Sequence, residues 1–160
     1  MVGTANNIVV GAAVVSIEGT DVGYTKGGVT IRYEPEYIDV MADQAVGVVR
    51  KARSLERLYI VTTLLEITLE NLRKAFMLPV ASLAGSTLTL GYNDACWVDD
   101  VILTIVGKGP TCGTRTYTFD KCVTFGTREL AMKREEEQAF EISFEALKDS
   151  SGNFGKVVDS

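Results

Sequence analysis

The sequence contains no histidine. This removes the commonest general base, the commonest metal ligand and the usual activator of a serine or cysteine nucleophile. Cysteine is scarce as well. Cys96, Cys112 and Cys122 are odd in number and form no CxxC pair, a pattern that suggests free thiols and neither a disulfide framework nor a zinc site. No apolar run approaches the roughly 18 residues of a membrane helix. The apolar stretch at residues 8–15 has no basic flank ahead of it, which argues against a signal peptide and for synthesis in the cytosol. Positive charge is in short supply too. With 16 Lys and Arg against 21 Asp and Glu the net charge is −5, which opposes tight binding to phosphate backbones but suits a surface past which DNA slides.

What is present is an ordinary globular composition, 46% hydrophobic over 160 residues, enough for one domain spanning 1–160. Residues 8–17 read as a strand closed by the turn Glu18-Gly19-Thr20-Asp21, and Lys26-Gly27-Gly28 reads as the next turn. From 29 to 40 the alternation is clear, with Val29, Ile31, Tyr33 and Tyr37 on one face and Thr30, Arg32, Glu34 and Glu36 on the other. Pro35 cannot donate to a ladder, so it predicts a bulge, a bend or an edge strand. Residues 42–56 show no period and read as a loop too long for a hairpin, with Val46, Val48 and Val49 interleaved with Arg50, Lys51 and Arg53, and Arg57 just beyond. After a strand at 58–65, Thr68 is placed to cap a helix over about 68–78, with Leu69, Leu72, Ala75 and Phe76 as its apolar face and Pro79 at its end.

Further strands are expected at 87–92, 101–106, 116–124, 127–133 and 138–147. In the third of these Thr116, Thr118, Asp120 and Thr124 alternate with Tyr117, Phe119, Val123 and Phe125. The expected fold is mainly β, an antiparallel sandwich or open barrel with one α-helix. Residues 1–10 and 149–160 read as terminal arms.

No motif in the chain carries chemistry. Asp94, Asp99 and Asp100 around Trp97 offer the carboxylates of a glycosidase but read more simply as a solvated turn. The glycines of 107–114 have Lys108 at the wrong end for a phosphate loop and no helix after them. Cys112 in that loop has no histidine to activate it. The charged run Lys133-Arg134-Glu135-Glu136-Glu137 reads as a turn or a contact surface.

Several stretches resemble bacteriophage tail tube proteins: Val22-Gly-Tyr-Thr-Lys-Gly-Gly-Val29 leading into Tyr33-Glu-Pro-Glu-Tyr37, then Thr68-Leu-Glu-Asn-Leu72, and Ser143-Phe-Glu-Ala-Leu147 followed by Asp149 and Gly152. They span about residues 17–155, in the order strand, long loop, strand, helix, strands. The resemblance implies a structural protein of the virion tail and no enzyme. Homohexameric rings would complete a β-barrel on assembly and stack into a tube. The expected partners are further rings, a tape-measure protein, tail terminator and initiator or baseplate proteins, and DNA passing transiently and non-specifically through the lumen, with no membrane and no cofactor. The 42–56 loop would reach a neighbouring subunit through Val46, Val48, Val49, Arg50, Lys51, Arg53 and Arg57, with Glu135, Glu136 and Glu137 as its acidic partner. Thr30, Arg32, Glu34, Thr116, Thr118, Asp120 and Thr124 would line the lumen. Tubes of contractile injection or secretion systems would share these features. A small-ligand-binding β-barrel is the alternative from another class, and it would need apolar residues on both strand faces.

Overall fold

The computed structural model describes residues 9–91 and 98–160. Its main element is one antiparallel sheet, built in chain order from β1 (Val14–Ile17), β2 (Thr20–Asp21), β3 (Thr25–Met41), β4 (Val48–Leu64), β7 (Val101–Lys108), β8 (Thr114–Thr124), β9 (Phe140–Ala146) and β10 (Lys156–Asp159). A short hairpin, β5 (Leu83–Ala84) and β6 (Thr87–Leu88), and one helix, α1 (Leu69–Ala75), lie between β4 and β7. The spatial order is β2-β1-β7-β8-β9-β4-β3, and β10 adds to β8. The sheet does not close on itself, so the mainly β, open architecture with one helix is as expected.

Alternation decides the faces. Ile17, Leu103, Ile105, Phe119, Cys122, Phe144, Ile142 and Ile60 share the core side and are almost fully buried. Burial pushes the Cys122 thiol up to about 12, so it stays protonated and unreactive at neutral pH. Cys112 is exposed, and Cys96, Trp97, Asp94 and Tyr92 lie outside the described residues; the strand expected at 87–92 forms only at Thr87–Leu88, with 89–91 outside any strand.

Helix α1 covers the core side in an unexpected way. Thr68 caps it as anticipated, its hydroxyl accepting from the Asn71 amide at 3.1 Å. Of the anticipated apolar face, Ala75 is buried, Phe76 packs against the core and Leu72 is half-buried, but Leu69 is exposed, and Asn71, Arg73 and Lys74 are buried beside them. Each buried polar group has a partner. Asn71 donates to the carbonyls of Val22 (2.9 Å) and Glu66 (2.8 Å), Lys74 to that of Ile17 (2.8 Å), and Arg73 to that of Leu78 (3.0 Å) and to Glu70. These bonds tie the helix to the strand and turn beneath it, work that leucines could not do. Asn71→Ala would strand two carbonyls and is expected to cost about 1–3 kcal/mol, read as a fall in urea midpoint at unchanged slope.

Four other expectations are corrected. The strand at 8–17 begins only at Val14; Val9 and Val10 are exposed and outside any strand, and residues 1–8 of the N-terminal arm lie outside the described set. The turn at Lys26-Gly27-Gly28 is a bulge inside β3, with Gly27 and Gly28 at φ of 76° and 79°. Residues 127–133 form no strand beyond a single bridge between Leu130 and Phe140. The C-terminal segment is no free arm. It docks as β10 on β8, closed by Arg115 gripping Asp159 through two contacts of 2.5 and 2.7 Å. Gly155 permits the approach: a Cβ there would lie 2.1 Å from the Thr118 carbonyl oxygen.

Candidate functional site: a projecting two-stranded ribbon

The stretch 42–56 is not a long loop. β4 begins at Val48 and pairs with β3 along its whole length, leaving only 42–47 as the tip. The ladder forms from backbone groups, which need no side-chain alternation. With both faces of this part exposed, the side chains follow no period of two. Pairing between β4 and β9 ends at Leu58 opposite Ala146. From Arg57 outward β3 and β4 therefore run together as a ribbon, with both edges unpaired among the described strands. Pro35 sits on the sheet's edge strand, as its missing N–H requires.

The ribbon has two unlike faces. The face continuous with the core side carries Tyr33, Tyr37, Asp39, Lys51, Arg53 and Glu56. Lys51 meets Asp39 at 2.7 Å, Arg53 stacks over the Tyr37 ring at 5.9 Å, and Arg53 and Tyr33 both donate to Glu56. The opposite face begins with an ordered polar group: Arg32 is 2.9 Å from Glu34 and lies over the buried ring of Tyr59, itself 4.9 Å from Phe125. Toward the tip this face turns apolar, with Ile38 opposite Ala52, Leu55 opposite Glu36, and Val40 opposite Arg50. Ile38 is 58% exposed and Val49 likewise, with Val40 and Met41 also open to solvent.

The expected basic docking cluster is therefore dispersed. Lys51 and Arg53 lie on one face and are neutralised by their own chain, and Arg57 contacts the Tyr59 hydroxyl at 3.4 Å. Arg50 stands on the apolar face without an ion pair among the described residues. Val46 is at the exposed tip and Val48 opposite Met41. The acidic turn is engaged within its own chain as well: Glu137 with Lys26, and Glu136 with Lys133 at 2.7 Å, while Glu135 is exposed.

Of the expected lumen residues, Thr30, Arg32, Glu34, Thr116 and Thr118 do share the sheet face opposite the core. Thr124 does not. Between Phe119 and Cys122 an extra residue in β8 makes a bulge at Asp120 and Lys121, which shifts the phase and puts Thr124 opposite Phe144 on the core side. Asp120 is exposed within that bulge.

Glu56 is the point where ribbon and body meet. Its side chain is only 14% exposed and accepts from Lys148 (2.6 Å), Tyr33 (2.8 Å) and Arg53. Those donors, Lys148 foremost, hold its carboxyl down to about 2. A carboxylate depressed in the fold stabilises it fully above its unfolded value near 4.5 and loses that contribution as pH falls toward 2. The difference in denaturation midpoint between the parent and Glu56→Gln is expected to be constant above pH 5 and to shrink between pH 4.5 and 2. A difference that shrinks instead above pH 5 would contradict the geometry.

Among the described residues no helix is long and apolar enough to cross a membrane. No model of a known protein family matches the chain, and no curated protein matches it.

Proposed function

We propose that the protein is the structural subunit of a phage tail tube, acting by assembly and not by catalysis. Copies join head to tail into hexameric rings, their open sheets together completing a β-barrel, and the rings stack into a hollow conduit around a tape-measure protein and later around DNA. The observation that carries this reading is the ribbon. An isolated two-stranded hairpin is marginal in water, and exposed apolar residues beside unpaired edges are an aggregation hazard unless something covers them. A neighbouring copy is the cover that also satisfies the open sheet, whose end strands β2 and β3 each leave one edge unpaired among the described residues.

The apolar stripe of Ile38, Val40 and Leu55, with Arg50 beside it, makes the contact, and the Thr30, Arg32, Glu34, Thr116 and Thr118 face lines the lumen. Terminator, initiator or baseplate proteins would close the ends of such a tube. The same reading covers a tube of a contractile injection or secretion system. Negative-stain microscopy of concentrated protein, with sedimentation across concentration, tests it. Annular rings or tubes are expected, and a monomer at every concentration, with tape-measure and initiator proteins added, would overturn it.

A further inference from the structure

The ribbon's attachment to the body is narrow and lopsided. One feature interrupts the ladder at its base: Ser54 is an extra residue that breaks the register between Glu36 and Tyr37, just beyond the Pro35–Glu56 pair. Beside this pair lies an open notch of about 360 Å³, bordered by Tyr33, Leu58, Phe119, Phe154 and Lys156. Such a volume leaves room for the ribbon to tilt without displacing the core. Of the three donors on Glu56, Arg53 belongs to the ribbon and moves with it. Tyr33, opposite Leu58, and Lys148 lie on the body side of the pair, and of these Lys148 is the cation.

Lys148 is well anchored. Its ammonium lies 5.3 Å from the centre of the Phe154 ring, and the chain before it is pinned by the Leu147 amide donating to Lys121 at 2.7 Å. The turn after it is held by Asp149, whose carboxylate accepts from the amides of Ser151 (2.8 Å) and Asn153 (2.9 Å). A fixed cation therefore meets a carboxylate that sits on the weak point of a lever.

We propose that the ribbon is a hinged arm, pivoting at the Pro35–Glu56 pair and held in its rest position by a clasp between Glu56 and Lys148. With the clasp closed, the apolar stripe is presented at one angle to the body. With it open, the arm sweeps a range of angles while the sheet beneath stays folded. This inference concerns the single chain and does not depend on the tube reading.

Distances between spin labels at Val46→Cys on the tip and Ile102→Cys on β7 test it, in a chain also carrying Cys96→Ser and Cys112→Ser. Dilution with excess unlabelled protein keeps every measured distance within one chain. The parent is expected to give one narrow distribution. Lys148→Met and Glu56→Gln should each broaden it or shift its centre by several ångströms with unchanged circular dichroism, and Lys148→Arg should restore the narrow form. Lys51→Met, which removes a more exposed ion pair beyond the pivot, should leave the distribution as in the parent. Superimposable distributions for Lys148→Met, Glu56→Gln and the parent would overturn the clasp. Equal broadening by Lys51→Met would overturn the location of the hinge.

Discussion

Ile38→Glu combined with Val40→Glu is expected to abolish ring and tube formation at concentrations where the parent assembles, while the sheet stays intact by circular dichroism. Both side chains lie on the apolar face of the ribbon and are roughly half exposed, so covering them contributes on the order of 1 kcal/mol each. Replacing them does more than remove that gain, because two carboxylates would have to be buried at the contact without partners. The loss is repeated at every subunit of a ring, and repetition turns a modest pairwise penalty into failure of the whole assembly. Arg50→Glu should act in the same direction but more weakly, because rim charges are worth about 0–1 kcal/mol and are screened by salt. Lys51→Glu should do less still to the contact itself, since Lys51 already pairs with Asp39 on the other face. Sedimentation and electron microscopy of the double variant decide the matter. Normal tubes from Ile38→Glu with Val40→Glu would show that the stripe is not the contact.

The second large effect is on stability. Phe144→Ala is expected to cost about 3–5 kcal/mol, a sizeable part of the roughly 5–15 kcal/mol that holds a typical domain together. Phe144 is completely buried at the centre of β9, level with Ile60 on β4 and Thr124 on β8, so the strands on both sides line the cavity it would leave. The sheet cannot collapse into that space without breaking one of the two ladders. A fall of about 1 kcal/mol or less in guanidinium unfolding would place the true core elsewhere, for instance around Phe140 and its edge-on partner Phe76 at 5.6 Å.

The legible parts of the fold were those where a buried face meets a wet one. Phe140, Ile142, Phe144 and Ala146 alternate with charged or small polar residues, and the structure pairs that strand at the middle of the sheet. The helix start was legible for another local reason: Thr68 reaches only as far as the Asn71 amide three residues on. The helix face was legible only in part: Ala75 and Phe76 pack on the core, but three polar side chains are buried beside them because they found carbonyls, Asn71 those of Val22 and Glu66, Lys74 that of Ile17 and Arg73 that of Leu78. Those carbonyls belong to residues as distant in sequence as Ile17, 57 positions from Lys74.

Composition and alternation alone established a mainly β chain without histidine, since such properties depend on which residues are present and on the period of two. The ribbon, the dispersal of its basic residues over two faces, the bulge that turns Thr124 inward and the meeting of Glu56 with Lys148 were decided only in three dimensions. Each depends on strand register or on a contact between segments far apart in the chain. A single extra residue in one strand reverses every side chain beyond it, and no local pattern in the sequence records where that residue will fall.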